Sequence, residues 1–200
     1  MKKQDLKSLT RNELMKWFKN NKLPGFRGKQ VFNWLYKNRV KSFDEMTNLP
    51  DTLQNRLKDN CMLTNLDIKN IQKTIDGTNK YLLKLNDNET IESVYIPFNN
   101  QRNSICVSSQ VGCAMKCKFC ATAIDGLVRN LTVGELVDQI LTVERNVNPE
   151  NTDKFHISNV VFMGMGEPLD NLDTVLKAID IINDNNGINI GMRKITVSTS

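Results

Sequence analysis

Long apolar segments are missing from the 200-residue sequence, which also has only one histidine and five cysteines. No apolar run approaches the roughly 20 residues of a membrane-spanning helix, and residues 1–10 have no apolar core after their lysines, so neither a membrane protein nor a secretory signal is indicated. An odd number of cysteines, three of them clustered, disfavours a disulfide framework and favours metal or redox chemistry. We expect a cytoplasmic protein that makes no membrane contact.

Basic charge is concentrated at the amino end. Residues 1–60 carry 14 basic and 6 acidic side chains, whereas residues 61–200 carry 13 basic and 16 acidic ones. Seven of the thirteen aromatic residues also lie in the first 60. Basic charge with aromatics suits nucleic acid. The alternative is an ordinary helical bundle with aromatics in its core and lysines on its solvated face. We favour that alternative for the aromatics, while the charge does not decide between the two.

Three thiols are closely spaced at Cys113, Cys117 and Cys120. Structural zinc normally takes four protein ligands, whereas three thiolates can hold a four-iron cluster and leave one iron open. The spacing therefore favours an iron–sulfur cluster. Two alternatives stay open, namely a zinc loop completed by Cys106 or His156, and reduced thiols without metal.

The first 60 residues have a helical pattern. A capping box from Thr10 to Glu13 predicts the start of a helix, and further helices are predicted over 27–39 and 50–60. We therefore predict a basic helical domain over 1–60.

The pattern then changes twice. Turn sequences between β-type runs predict a short antiparallel unit over 61–100. In 101–200 strands and helices alternate, which is typical of βαβ units with a parallel sheet. The alternating elements are strands over 104–108, 157–163 and 193–200 and helices capped by Thr132 and Asn171.

Ligands of parallel sheets bind at the carboxyl ends of strands. The cysteine loop follows the first of these strands, Met163–Pro168 follows the second, and Ser198–Ser200 lies at the third. Gly164 and Gly166 permit a sharp turn, after which Glu167 offers an anionic acceptor suited to an ammonium group. The turn is not a dinucleotide fingerprint, because the GxGxxG spacing is absent. We expect one site at this rim.

Several segments together resemble the radical S-adenosylmethionine (SAM) methyltransferases of the RlmN family, and the resemblance covers essentially the whole chain. It implies an α/β fold of radical SAM type, a partial (βα) barrel truncated after about three strands and preceded by the helical domain and the antiparallel unit. The matching segments are Glu92–Pro97, Cys106–Cys113, the cysteine triplet, Arg129–Thr132, Phe162–Leu169 and Ile195–Ser200.

The resemblance also implies roles for single residues. From the pattern alone, Glu92 would be an exposed strand residue and Cys106 a small buried hydrophobe. The implied roles are ligation of a [4Fe-4S] cluster by Cys113, Cys117 and Cys120, SAM binding by Gly166, Glu167 and Ser198, proton acceptance by Glu92, and product release through a disulfide by Cys106.

The implied activity is methylation of carbon 2 of an adenine in 23S rRNA, and whether tRNA is a second substrate stays open. Carbon 2 is not nucleophilic, so radical chemistry rather than polar methyl transfer is needed. The implied partners are RNA and an electron donor such as flavodoxin, and a monomer is expected. The family's methyl-carrying cysteine lies beyond position 200, and no cysteine follows Cys120. We therefore expect this chain to be an amino-terminal fragment that is inactive alone.

Two other functions compete with this interpretation. Cfr-type enzymes methylate carbon 8 of the same adenine, but Val111 and Pro168 resemble the carbon-2 branch. A zinc-binding RNA module without catalysis is the alternative from a different class.

Overall fold

The computed structural model describes residues 3–98, 102–150 and 155–200. The capping boxes at Thr10 and Thr132 form both of their reciprocal hydrogen bonds, which confirms the predicted starts of two helices. None of the helices in the described ranges is both long and apolar enough to cross a bilayer. The α-helices are α1 (Arg11–Asn20), α2 (Gly25–Tyr36), α3 (Asp51–Asn60), α4 (Val133–Val147) and α5 (Leu172–Asn183).

Most strands belong to one sheet of order β10-β9-β6-β5-β4-β3. Two short pairs, β1 with β2 and β7 with β8, lie outside it. The strands are β1 (Gln4–Asp5), β2 (Cys61–Met62), β3 (Asp67–Lys73), β4 (Asn79–Lys84), β5 (Thr90–Ile96), β6 (Asn103–Cys106), β7 (Gln110–Gly112), β8 (Leu127–Asn130), β9 (Ile157–Phe162) and β10 (Ile195–Val197).

The large sheet is mixed. Strands β6, β9 and β10 run parallel, as the strand–helix alternation predicted, and β3, β4 and β5 run antiparallel. Because β5 pairs with β6, the antiparallel strands continue the parallel ones without a break between sheets. The predicted boundary at residues 100 and 101 lies outside the described residues. Within the described part of the chain, β10 is an edge strand.

One face of the sheet is covered by helices. Ile91, Ser93 and Tyr95 of β5 are buried, and the Ser93 hydroxyl donates a 2.8 Å hydrogen bond to Gln139 of α4. Side chains of a strand alternate between faces. The even-numbered residues of β5, including Glu92, therefore point to the opposite face, where they are half-buried.

The amino-terminal helices share the core of the sheet. Four aromatics of this region are fully or nearly buried, so the core interpretation is confirmed for them. Trp17 and Trp34 are half-buried against the same core, whereas Phe26 is 56% exposed. The four buried rings are Phe18, Phe32, Tyr36 and Phe43.

Two buried ion pairs connect the amino-terminal region to α4, and we call them the joint. Lys7 Nζ lies 2.7 Å from Asp138, and Arg39 Nη1 lies 3.3 Å from Glu144, with all four side chains at most 1% exposed. Burial lowers the pKa of Lys7, although the Asp138 carboxylate opposes this shift. The pattern of the sequence gave no sign that Lys7 is internal, since the lysine lies in a polar segment.

Candidate active site

The cysteine loop is held at its base by β7 and β8. Cys113 N donates to Gly126 O at 3.0 Å, which closes the loop where the two strands meet. Gly112 has a φ of +73°, and a Cβ there would lie 1.9 Å from Gly126 O, so only glycine fits. Pairing of β7 with β8 places Arg129 beside Glu135, at 2.8 Å, and Asp87, at 2.7 Å. The Arg129 segment therefore anchors the loop to α4 and to the β4–β5 turn.

The three thiols differ in exposure. Cys113 is 8% exposed and accepts a long 3.5 Å hydrogen bond from Met115 N, while Cys117 and Cys120 are half-buried. The Cys120 N–H donates to Cys117 O at 3.0 Å, which folds the end of the loop into a turn. All five cysteines of the chain are free thiols.

The turn after β9 requires both of its glycines, for different reasons. Gly166 has a φ of +97°, and a Cβ there would lie 2.5 Å from Gln110 Cβ. Gly164 does not adopt a positive φ. It is needed because the Val107 backbone would lie 2.8 Å from its Cβ.

Glu167 connects the ends of two parallel strands. Its carboxylate accepts hydrogen bonds from Leu169 N at 2.9 Å and from Ser200 N at 3.1 Å, and the residue is 5% exposed. Burial alone would raise the pKa of Glu167, but the hydrogen bonds from Leu169, Thr199 and Ser200 together hold it below its usual value. With its pKa held low, the Glu167 side chain is an ionised acceptor near neutral pH.

One cavity of about 310 Å³ collects these features at the carboxyl ends of β6, β9 and β10. Six of the eight predicted site residues line it. Apolar side chains complete the wall, including Phe119, which is 93% exposed. The six predicted residues are Cys113, Cys117, Cys120, Gly166, Glu167 and Ser198.

The lining of the cavity supplies three thiols, which is the number of protein ligands that a [4Fe-4S] cluster with one open iron needs. The lining also offers one carboxylate, and Cys106 and His156 are not among the described residues that line the cavity. A fourth zinc ligand from either of them is therefore not supplied here. In the described ranges, no three Cys, His, Asp or Glu side chains are yet gathered as closely as a metal site requires. The three thiols nevertheless line one cavity.

The other two predicted residues, Glu92 and Cys106, lie on the face of the sheet opposite α4, which we call the open face. Cys106, the last residue of β6, pairs with Val94. Glu92 is two residues away on the same face, so Glu92 and Cys106 are diagonal neighbours with Cα atoms about 7–8 Å apart. The Glu92 carboxylate is 41% exposed and lies 2.7 Å from Lys80 Nζ. Burial raises the pKa of the Cys106 thiol, with partial compensation by a hydrogen bond from the Met163 backbone.

Buried polar residues that the sequence did not single out hold the site together. The Ser108 hydroxyl donates to Glu92 O at 2.6 Å and accepts from Met165 N at 2.9 Å. Gln139 of α4 fixes Ser108 by bonds of 2.9 Å to its N–H and its carbonyl. Gln110 accepts from Glu167 N at 2.8 Å. The run Ser-Ser-Gln between two cysteines was the available signal, but no role could be assigned without these contacts.

Asn171 also differs from its prediction. It precedes α5 but makes no side-chain cap, so the predicted capping is wrong. Its amide instead donates to Ser109 O at 3.0 Å and to Leu131 O at 2.9 Å. Both carbonyls lie in segments that flank the cysteine loop, so the Asn171 amide links these two segments instead of capping α5.

Comparison of the whole fold with solved structures defines the class. A crystal structure described as a radical SAM methyltransferase from Sphaerobacter thermophilus has a TM-score of 0.89 and is 39% identical, over 98% of this chain and 57% of that chain. The protein thus has an α/β fold similar to that of a radical SAM methyltransferase.

Sequence comparison narrows the class to one family. A protein of Alkaliphilus oremlandii named probable dual-specificity RNA methyltransferase RlmN is 48% identical over 100% of this chain and 56% of its own length. A protein of the same name from Caldicellulosiruptor saccharolyticus is 46% identical over 98% of this chain and 55% of its own length. The family described as "Ribosomal RNA large subunit methyltransferase N-terminal domain" matches residues 4–63. The chain matches the amino-terminal part of RlmN proteins and spans about half the length of these relatives.

Proposed function

We propose that this chain provides the cluster-binding and SAM-binding part of a radical SAM enzyme that methylates carbon 2 of an adenine in 23S rRNA. The observation that supports this most directly is the single cavity lined by three thiols, Gly166, Glu167 and Ser198. The names of the relatives, which are called dual-specificity RNA methyltransferases, support an RNA substrate. The family's six-stranded partial barrel, of which the parallel strands here would form part, belongs to the same proposal.

In this proposal the residues of the cavity divide between two ligands. Cys113, Cys117 and Cys120 hold a [4Fe-4S] cluster, while Gly166, Glu167 and Ser198 hold the methionine part of SAM. Together these cofactors supply one-electron chemistry, which a carbon without nucleophilic character requires. The ionised Glu167 is suited to an ammonium group because its other acceptor bonds come from N–H and O–H donors, which leave its negative charge uncompensated.

Two residues on the open sheet face handle protons. Glu92 accepts the proton that leaves carbon 2, and its partial exposure gives a base at that face access to a substrate. Cys106 would release the product by attacking the sulfur of the methyl-carrying cysteine, so that the disulfide forms as the C–S bond to the transferred carbon breaks and that carbon keeps the electron pair and takes up a proton. Because burial raises the pKa of Cys106, its thiol is protonated near neutral pH and must lose that proton before the disulfide forms.

We assign the three parts of the chain separate tasks. Residues 1–60 contact RNA, residues 61–100 carry Glu92, and residues 101–200 hold the cofactors. RNA substrate and reductive chemistry together suit a cytoplasmic monomer that receives an electron from a donor such as flavodoxin. The 200 residues contain no methyl-carrying cysteine after Cys120, so we propose that these residues assayed alone with SAM and RNA yield no methylated adenine.

Anaerobic reconstitution with iron and sulfide tests the proposal. We expect about four irons per chain, the absorption and electron paramagnetic resonance of a [4Fe-4S] cluster, and a spectral change when SAM is added. Replacing Cys113, Cys117 and Cys120 together by Ala should abolish iron binding, whereas Cys61→Ala should not. Cys61 is a suitable control because it is 2% exposed and burial raises its pKa to about 12.

Three results would count against the proposal. Stoichiometric zinc without iron would indicate the RNA-binding module, and loss of iron in Cys61→Ala would place the cluster elsewhere. Modification of carbon 8 in cells that carry the full gene, detected by mass spectrometry of the nucleoside, would indicate a Cfr-type enzyme instead.

A further inference from the structure

The hairpin of α1 and α2 has an unusual distribution of charge. Residues 14–43 contain no Asp or Glu but eight Lys and Arg residues. Arg39 is internal and pairs with Glu144 in the joint. Six of the other seven are exposed lysines, and within the described ranges no ion pair involves any of the six. The hairpin therefore presents uncompensated positive charge. The six lysines are Lys16, Lys19, Lys22, Lys29, Lys37 and Lys41.

Helix α2 arranges part of this charge along its outer face. Phe26, Lys29, Asn33 and Lys37 follow one another at spacings of three, four and four residues, and all four are exposed. Residues at such spacings lie on one side of a helix. The stripe from Phe26 to Lys37 is about 16 Å long at 1.5 Å per residue. We call these four residues the α2 stripe.

Phe26 is the exception among the amino-terminal aromatics, because it is 56% exposed. The Arg27 guanidinium lies 5.0 Å from the centre of its ring and is itself fixed by a 2.7 Å bond to Gln30. The stem of Lys19 crosses the adjacent Gly25, where its Cε would lie 2.8 Å from a Cβ. An exposed aromatic ring with basic side chains nearby is a surface on which an unpaired nucleic acid base can stack.

The other end of the α2 stripe reaches a second cavity, of about 350 Å³. Lys37 and Lys194 line it together with neutral polar residues, and the lining among described residues includes no acid. It is formed around the amino end of β9, whereas the cysteine cavity lies beyond its carboxyl end. The two cavities therefore lie at opposite ends of β9. The neutral polar residues are Ser158, Asn185 and Asn189.

We propose that the α2 stripe is a docking surface for RNA, with backbone phosphates at Lys29, Lys37 and Lys194 and an unpaired base stacked on Phe26. The choice of RNA as the partner rests on the proposed function. Uncompensated lysines complement phosphates, and the aromatic ring and amides add contacts that a merely acidic partner does not need. Because the surface is remote from the cysteine cavity, it contributes affinity for a large RNA and not chemistry.

Fluorescence anisotropy with a labelled RNA hairpin that has an unpaired loop tests the inference, with salt varied from about 50 to 200 mM. The double variant Lys29→Gln/Lys37→Gln should weaken binding at low salt and lower the slope of log affinity against log salt by about 1.4, as expected for two lost phosphate contacts. Phe26→Ala should weaken binding about fivefold or more through lost stacking.

Matched controls remove the same charge and the same kind of ring elsewhere. Lys69→Gln/Lys73→Gln changes two exposed lysines of β3, and Phe98→Ala removes a ring that is 64% exposed. Each control should leave the affinity for RNA within about twofold of the unmodified chain, a difference of about 0.4 kcal/mol. Thermal unfolding checks that every variant is folded.

Every outcome of these measurements either supports the α2 stripe as an RNA-binding surface or rejects it. Equal losses of RNA affinity in the stripe variants and their controls would overturn the proposed RNA-binding role of the α2 stripe. The absence of RNA binding by the unmodified chain at low salt would do the same. Competition by polyglutamate as strong as that by unlabelled RNA would indicate an acidic protein partner and overturn it too. Iron and sulfide content, measured on the same variants, should stay unchanged. Loss of cluster assembly with RNA binding intact would reject the proposed function and leave the surface standing.

Discussion

The joint and the cysteine cavity treat polar groups in opposite ways. In the joint, Asp138 accepts bonds from Lys7 at 2.7 Å, Leu66 N at 2.7 Å and Thr142 at 3.0 Å, so its buried charge is fully used within the protein. In the cavity, Cys117 and Cys120 are half-buried thiols that share the wall with the exposed ring of Phe119. The difference teaches that paired charges fix how the parts of this chain meet, while these two thiols stay accessible from the cavity.

Breaking the joint should have the largest effect. Asp138→Ala leaves Lys7 buried without its counter-charge, so we expect a loss of about 3–5 kcal/mol in the free energy of unfolding, measured with urea. The control, Asp44→Ala, removes the exposed partner of Lys58 and should cost less than about 1 kcal/mol. Similar losses for the two variants would contradict the assignment of the joint.

Crowding the turn after β9 should come second. Gly166→Ala combines a φ of +97° with a clash against Gln110, and we expect a loss of about 2–4 kcal/mol in unfolding free energy. Gly126→Ala is the matched control, because its φ is +74° but a Cβ there has no neighbour within 4 Å. The difference in unfolding free energy between the two variants measures the cost of the contact with Gln110. A Gly126→Ala loss as large as that of Gly166→Ala would show that φ alone matters.

A smaller, pH-dependent effect is expected at Glu167. Glu167→Gln weakens the acceptor that joins Leu169 to Ser200, with an expected loss of about 1–2 kcal/mol near pH 7. The pKa of Glu167 is lower in the folded chain than its usual value, so the carboxylate stabilises the fold above about pH 4.3, its unfolded pKa.

That stabilisation is lost as the pH falls through the folded pKa. The difference in stability between the original chain and Glu167→Gln should therefore shrink below about pH 4. Urea unfolding across this range is the measurement, and Asp170→Asn, at an exposed carboxylate, is the control. A difference that grows on acidification would be inconsistent with an ionised Glu167.

The smallest effect concerns the pair of Lys80 with Glu92. Both side chains are more than two-fifths exposed, so Lys80→Gln should change the unfolding free energy by less than about 1 kcal/mol. Lys84→Gln, on the same face of β4, loses the same charge without that contact. A cost above about 2 kcal/mol for Lys80→Gln alone would mean that the open face is as tightly coupled as the joint.

Local signals predicted much of the fold. The capping boxes at Thr10 and Thr132 lie within four residues of sequence and appeared with both bonds, because such bonds depend only on neighbouring atoms. The parallel order of β6, β9 and β10 followed from the alternation of strands and helices. The rim that gathers the cysteines and Glu167 followed from the same rule about strand ends.

Long-range contacts set the limit of sequence reasoning. Lys7 and Asp138 are 131 residues apart, and no periodic pattern relates them. Asn171 looked like a helix cap because of its position, but two carbonyls of distant segments claim its amide. The exposure of Phe26 could not be predicted either, because it depends on how α2 packs. Nothing in the sequence distinguishes Phe26 from the aromatic residues nearby that are buried.

The hydroxyl group of Ser108 connects the backbone at Glu92 with the turn after β9. Ser108 holds the backbone of the candidate base on one side and the turn that carries Glu167 on the other, through bonds of 2.6 and 2.9 Å. A displacement of the turn by about 1 Å would stretch the second bond beyond hydrogen-bonding distance. A ligand that displaced this turn would therefore also disturb the backbone at Glu92, without touching Glu92 itself.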